Sequence, residues 1–409
     1  GAAGSKWYDG FGVPSAGLGI DDDYYLDNNT GDVYGKSAGA WSAIANIQGP
    51  AGSGGGTPSY YHVKTVAVSG GDYNSIVNAL AAITDNSASN PYLIRVMPGA
   101  YPGFTMKPYV RIQGAGSDQC RIMNPITGAD HATLDGFLLN GLVTCDGVSP
   151  TISNCATTVA LALVKNYASP RIINNDVSLP TTSSVAAISV ETGSTPEVID
   201  NIIRINGTNT SLTGIKIVNG SGGRYIGNKL VGLKFWVYGT SGLTPDLGAS
   251  NPVIMNNEVV GPNYGVLMSE SNPVILNNNF KDIWMYGIYI TNSNPVVQGN
   301  RIQAGPLPAG TSTGYIGIYV SNSAGKPARI ANNVMQGITD VSYMYNYGIR
   351  VEANCEPVLV NNIITGHATD VYVPYVGPKL VFNVFDTISG NGGDGNYNTT
   401  SAGATIAVP

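Results

Sequence analysis

From residue 149 onward one unit recurs, and it constrains the fold more than any other feature of the chain. Asn251-Pro252-Val253-Ile254-Met255-Asn256-Asn257 and Asn272-Pro273-Val274-Ile275-Leu276-Asn277-Asn278 are its clearest copies. Related phrases stand at residues 149–154, 169–175, 195–201, 222–228, 294–300, 326–333 and 356–362. Counted at the Pro position, which Gly223 fills once, successive copies lie 20 to 32 residues apart. A second phrase sits inside the same units: Gly214-Ile215-Lys216-Ile217, Gly265-Val266-Leu267-Met268, Gly287-Ile288-Tyr289-Ile290, Gly317-Ile318-Tyr319-Val320 and Gly348-Ile349-Arg350-Val351. Two or three short strands per period of this length define a solenoid. Strand side chains alternate, so the flanking Ile and Val face inward and the middle residue of each phrase faces out. Asn at the same turn of every coil can stack on its counterpart one strand spacing away, which explains its recurrence without any catalytic role.

Composition agrees. Charged residues are 11% of the chain, against roughly 25% in an average globular protein. The 53 Gly and 24 Pro leave little room for long helices. A net charge of −6 with only 20 Lys and Arg offers no cationic face for phosphate backbones, so nucleic-acid binding is not expected. No run of eighteen apolar residues marks a membrane-spanning helix. The L-x-x-L-x-L pattern of leucine-rich repeats is absent, and a propeller would need four strands per roughly 40 residues. The expectation is an all-β, right-handed parallel β-helix on the order of 12 coils, about 55–60 Å long.

Four segments follow from the patterning: 1–58, a small β module and linker; 59–90, a capping segment with a helix; 91–388, the β-helix; and 389–409, a C-terminal strand or cap. In the first, Gly1-Ala2-Ala3-Gly4-Ser5-Lys6 and Gly49-Pro50-Ala51-Gly52-Ser53-Gly54 carry Gly at every third position for two triplets, too few for a triple helix alone. Between them, aromatic and polar residues alternate around Asn/Gly turns and predict a three-stranded meander. Over 72–84, Ile76, Leu80 and Ile83 share one helical face with Ala79, and Asp72 or Asn74 can cap it. The opening residues show no signal peptide, so the chain reads as a processed product or a fragment.

Cys120, Cys145, Cys155 and Cys355 are too few for a disulfide framework; Cys145 and Cys155 could pair in a secreted protein, but buried free thiols are the preferred reading. Without CxxC spacing, and with three His, no zinc site is expected. His131 and His367 read as structural. Asn391-Gly392-Gly393-Asp394-Gly395-Asn396 is similar to Gly/Asp-rich Ca²⁺ loops, and Asp21-Asp22-Asp23 is acidic. Single copies of each read as turns, so no cofactor is expected.

Strand, Pro98-Gly99-Ala100-Tyr101 turn, strand and Gly114-Ala115-Gly116 turn, followed by the repeat, resemble the pectate-lyase superfamily of right-handed parallel β-helices over about residues 60–390. Residues 7–52 resemble a module that joins collagen-like tracts in phage tail fibres and bacterial surface proteins, through Tyr25-Leu26-Asp27, Thr30-Gly31-Asp32-Val33-Tyr34 and Gly49-Pro50-Ala51-Gly52. The superfamily holds lyases, hydrolases, epimerases, tailspikes and adhesins, so the resemblance alone assigns no activity. Hydrolysis needs two carboxylates at a set separation, and β-elimination needs a base and a cation. The repeat's carboxylates are sparse, and none pair on adjacent coils of one face. Asp200 replaces an Asn of the ladder, and Glu191 and Glu352 each follow a Gly- or Ala-led strand.

The candidate ligand-binding residues are therefore Lys216 and Arg350 in the outward slot, Tyr289 and Tyr319 in the same slot between them, and Tyr264, Tyr286 and Tyr347 just before the phrase's Gly. They either brace the sheet coil on coil or form a strip for sugar rings or another subunit. We expect a non-enzymatic extracellular, cell-surface or virion fibre component, a shaft or adhesin. Its partners would be cell-surface polysaccharide and copies of itself, as a trimer or filament. The alternatives are a tailspike-like polysaccharide lyase or hydrolase using Lys216, Arg350 and a nearby carboxylate, and a head-to-tail filament. The apolar runs 379–385 and 404–408 would serve that filament, or a C-terminal cap.

Overall fold

The computed structural model describes residues 5–28, 30–46, 62–207, 212–239, 248–308, 313–338, 344–373, 379–381, 383–384, 388–389, 398–399 and 405–406. It divides into two compact units, Gly1–Ser59 and Tyr60–Pro409.

The first unit is a four-stranded sheet in the order β1 (Trp7–Gly10), β2 (Tyr24–Asp27), β3 (Asp32–Ser37), β4 (Ala40–Asn46). Strands β2 to β4 form the expected meander. The expectation of three strands needs correction, because β1 joins β2 in parallel. A parallel neighbour requires a crossover, and residues 11–23 supply it. Lys36 reaches into this crossover and its Nζ donates to Ala16 O, Leu18 O and Gly19 O at 2.8, 2.7 and 3.0 Å. The Asp23 carboxylate accepts the Ile20 and Lys6 backbone N–H groups, which hold it below the usual carboxylate range. Asp21 accepts the Gly39 N–H. The acidic cluster thus closes turns. The 391–396 loop lies outside the described residues.

The second unit coils through three parallel sheets of 14, 12 and 12 strands. One coil runs Val274–Leu276, Asn279–Ile283, Tyr286–Thr291, giving one strand to each sheet in turn. Register carries the alternation from coil to coil, so that Ile254, Ile275, Val297 and Ile330 align and are fully buried. The first sheet begins at His62–Val66, paired in parallel with Tyr92–Val96, so the β-helix starts before residue 91. The helix is Ile76–Ala81, shorter than the expected 72–84, and it buries Ile76, Ala79 and Leu80. Its cap is Ser75, whose hydroxyl accepts the Asn78 N–H, not Asp72 or Asn74. Asp72 instead accepts the Thr65 N–H, and Tyr73 pairs with Val66, so residues 72–74 are held extended against the first strand. At the other end Lys379–Val381 extends the first sheet and Ile388–Ser389 the third, while Asn398–Thr399 and Thr405–Ile406 form an antiparallel pair.

The two residues of each Asn-Asn turn have different tasks. The first takes a left-handed backbone, with φ near +53° at Asn174, Asp200, Asn277 and Asn361, which Asn, Asp and Gly tolerate best. Asp200 therefore occupies the left-handed slot rather than the amide column, a correction to its reading as a ladder member. The second residue is buried: Asn175, Asn201, Asn228, Asn257, Asn278, Asn300, Asn333, Asn362 and Asn383 are each at most 2% exposed. Each of the first eight donates its Nδ2 to the Oδ1 of the next at 2.9–3.0 Å. A buried amide is tolerated only when its partners are present, and a column of identical amides supplies them. Cys155 fills the slot before the first, its N–H bonded to Asn175 Oδ1. All four cysteines are buried free thiols. Burial pushes Cys145 and Cys155 up to about 12.

The Gly of the second phrase answers to space rather than to backbone conformation. A Cβ on Gly265 would lie 2.5 Å from the Gly287 carbonyl oxygen, and one on Gly317 would lie 2.6 Å from that of Gly348.

Candidate functional site

Register on the third sheet sets Lys216, Trp236, Leu267, Tyr289, Tyr319, Arg350 and Tyr372 in one outward column. A neighbouring column holds Tyr264, Tyr286, Ile316 and Tyr347. Lys216 and Arg350 therefore share a slot but stand five strand steps apart, about 24 Å. The seven sequence candidates form two separate places on one face.

The larger is an aromatic cluster. Tyr264 and Tyr286 stack at 5.1 Å, Tyr289 sets its edge against Tyr286 at 5.1 Å, and Tyr319 lies 5.0 Å from Tyr289. Arg350 lies 5.3–5.8 Å from the rings of Tyr319, Tyr345, Tyr347 and Tyr372, and its Nη2 pairs with Glu352 Oε1 at 2.7 Å. The Tyr319 hydroxyl donates to the same oxygen at 3.1 Å. Tyr345, Tyr372 and Lys234, whose Nζ sits 5.7 Å over Tyr264, complete the cluster. Sequence reading passed over these three, because none lies in a repeated phrase. The cluster's rings face one another, and Arg350 and Glu352 satisfy each other. That is the geometry of a braced sheet.

Burial, with the Glu352 carboxylate beside it, pushes Tyr319 up to about 12, and burial raises Tyr264 and Tyr286 as well. The folded state therefore favours the neutral phenols. Their contribution to stability is complete below pH 10, the ordinary tyrosine value, and is lost as pH rises from there through about 12. Titration at 295 nm should show these phenols ionising only as the fold opens, with Tyr319→Phe shifting that transition to higher pH. Reversible ionisation of all 24 Tyr near pH 10 with circular dichroism unchanged would refute the bracing.

The smaller place surrounds Lys216. Its Nζ meets Glu191 Oε1 at 3.4 Å across one coil. Trp236, on the next coil, is 36% exposed. Leu163, Ser183, Val185, Ser189 and Thr213 line the rest of a groove of about 500 Å³. A second hollow of about 410 Å³ continues past Lys216 and Trp236 to Asn219 and Tyr238. The groove thus joins an apolar indole platform to one cation, one carboxylate and several hydroxyls. The third sheet's column explains it: Leu163 and Ser189 precede Lys216, and the short Ser189 side chain leaves room before the rings begin.

Three further carboxylates, Glu258, Glu197 and Asp176, are held by cations on neighbouring coils. Glu258 lies between Lys229 and Lys281 at 2.8 and 2.5 Å, which hold it below its usual range. Glu197 lies between Arg171 and Arg224, and Asp176 meets Arg204 at 2.7 Å. The catalytic alternative required Lys216, Arg350 and a carboxylate to converge; each cation instead has its own glutamate. Among the described residues no three His, Cys, Asp or Glu side chains are grouped to hold a metal. His131 stacks on Tyr109 at 4.9 Å, and His367 is buried against Asp370 and Tyr315.

Residues 246–406 match the family described as "Right handed beta helix region". Over 43 residues the chain is 54% identical to Collagen-like protein 7 of Acanthamoeba polyphaga mimivirus; the match covers 10% of this chain and 2% of that protein's length. Among solved structures, the mannuronan C-5 epimerase AlgE6 A-module of Azotobacter vinelandii is 16% identical, over 79% of this chain and 94% of that one, with a TM-score of 0.46. The Dettilon tailspike protein gp208 is 14% identical, over 83% and 68%, with a TM-score of 0.43. ORF18 of Geobacillus virus E2 is 11% identical, over 97% and 72%, with a TM-score of 0.34. Three in-register parallel sheets, a buried asparagine column and the family match together make this chain a right-handed parallel β-helix.

Proposed function

We propose that the chain is a non-enzymatic extracellular or virion fibre component, a rigid shaft that binds polysaccharide in the groove of Glu191, Lys216 and Trp236. The exposed indole of Trp236 carries this reading. Sugar rings offer an apolar C–H face and a rim of hydroxyls, and they are gripped by a flat aromatic surface beside a few polar groups. Trp236 with Lys216, Glu191 and Ser189 meets both needs, whereas the rings of the tyrosine cluster are turned on one another. The groove's own charges balance, and the chain's net charge of −6 repels polyanions, so a neutral polymer is favoured. The pairing of carboxylates with cations favours binding over cleavage.

Affinity electrophoresis against a panel of neutral polysaccharides tests this. Trp236→Ala should weaken retention at least tenfold, about 1.4 kcal/mol, while Phe11→Ala in the first unit leaves it unchanged. Equal retention of wild type and Trp236→Ala on every polymer that binds would remove the groove from the proposal. Release of new reducing ends would replace the non-enzymatic reading with hydrolysis or elimination.

A further inference from the structure

The groove around Lys216 has two ends of different chemistry. Thr144, Leu163, Ser189, Lys216 and Trp236 stand in one outward column on successive coils. Leu163 and Trp236 are therefore three strand steps apart, about 14 Å. At the Trp236 end the indole lies open. At the Leu163 end the wall is aliphatic, made by Leu142, Ala160, Leu163, Val185 and Ala186. Val185 is 56% exposed, and its own loop holds it on the rim. There the Ser183 N–H donates to Pro180 O at 3.0 Å and the Ser183 hydroxyl donates to Val185 O at 2.9 Å. Between the ends stand Ser189 and Thr213, whose hydroxyls bond to no other described residue, and the Lys216 ammonium, 3.4 Å from Glu191.

We propose that this groove takes a neutral polysaccharide bearing acetyl groups, with one sugar ring on Trp236 and the acetyl methyl of a sugar further along the polymer at the aliphatic end. The proposal rests on the polysaccharide reading of the groove and names its substrate class. A plain hexose carries hydroxyls around its rim. A hydroxyl set against Leu163 and Val185 would give up water without gaining a partner, so the aliphatic end disfavours it. An acetyl group suits both parts of the site. Its methyl can lie against Leu163, Val185 and Ala186, and its carbonyl oxygen can accept from Ser189, Thr213 or Lys216. A deoxy sugar would fill the wall and leave those donors unused. Acetyl also adds no charge, in keeping with the balanced Lys216–Glu191 pair and the chain's net charge of −6.

Two matched pairs of probes test this by isothermal titration calorimetry on the full chain. N-acetylated chito-oligosaccharides are set against cello-oligosaccharides, which carry a hydroxyl in place of the acetamido group. O-acetylated glucomannan is set against the same polymer after mild alkali. The acetylated member of one pair should bind about tenfold more tightly, as expected for an apolar group in an apolar pocket, and the pair that responds tells amide from ester. Leu163→Asn combined with Val185→Ser should bring that ratio to about one, while Leu163→Met, which keeps the wall apolar, should preserve it. Trp236→Ala should weaken both members of the pair. Equal binding within both pairs, no binding of any acetylated probe, or a ratio unmoved by Leu163→Asn with Val185→Ser overturns the acetyl assignment alone. Binding that Trp236→Ala does not weaken overturns the groove reading, and this inference with it.

Discussion

Replacing Asn257 by Ala should cost about 4 kcal/mol and unfold the β-helix from the middle. Asn257 Oδ1 accepts the Asn228 backbone N–H at 2.8 Å and the Asn228 side-chain amide at 3.0 Å. Its Nδ2 donates to Asn278 Oδ1 at 2.9 Å and Tyr225 O at 2.8 Å. Truncation leaves the Asn228 N–H and the Tyr225 carbonyl in a dry core, at about 1–3 kcal/mol each, and adds a small cavity. Each coil touches only its neighbours, so the loss is local. Hydrogen exchange should show protection falling first across residues 222–283, while residues 110–157 keep theirs. A uniform change along the chain, or a stability loss under about 1 kcal/mol, would mean that water or a shifted neighbour replaces the amide.

Gly287→Ala should be nearly as damaging, for a different reason. A Cβ there would collide with the Gly317 carbonyl oxygen of the next coil and with the Ile302 side chain. The carbonyl is part of the sheet ladder and has no rotamer to escape into, so we expect about 3 kcal/mol of destabilisation. Ile302→Ala in the same chain should recover little, because it removes the movable obstacle and leaves the fixed one. Gly261→Ala is the comparison: its φ is +79° with nothing within 4 Å of the added carbon, so the cost is left-handed backbone alone, about 1–2 kcal/mol. Chemical denaturation of the three variants ranks them. Equal costs at Gly287 and Gly261 would show that conformation, not crowding, selects glycine in the Gly-Ile-x-Ile phrase.

The parts legible before the structure were those written in local periodicity. Ile275 and Ile288 face the core because strands alternate, and Tyr289 and Arg350 share an outward slot because the same phrase carries both. The second sheet was harder to see. Its strands Lys229–Val231 and Glu258–Val260, for example, follow the turn's buried Asn directly but are only three residues long, and beyond that Asn the copies along the chain share one apolar residue. The strand Trp7–Gly10 was missed because its pairing depends on a crossover held by Lys36, seventeen to twenty residues away from the carbonyls that receive it. The Asn-Asn turn was read as one ladder; only backbone angles separate the left-handed residue from the buried amide.

By itself the sequence determined that the chain coils, which side chains enter the core, and why Asn and Gly return at fixed places. Side-chain alternation and the needs of a buried amide act over a few residues, so they can be read along the chain. Only the tertiary structure decided which outward residues meet. Lys216 finds Glu191 and Trp236, while Arg350 finds Tyr319 and Tyr372, because neighbours on a β-helix face are set by hydrogen-bond register between coils. The neighbours on other coils, Glu191 and Trp236 for Lys216 and Tyr319 and Tyr372 for Arg350, stand 20 to 31 residues away in the chain, and the loop lengths that choose them carry no periodic signal.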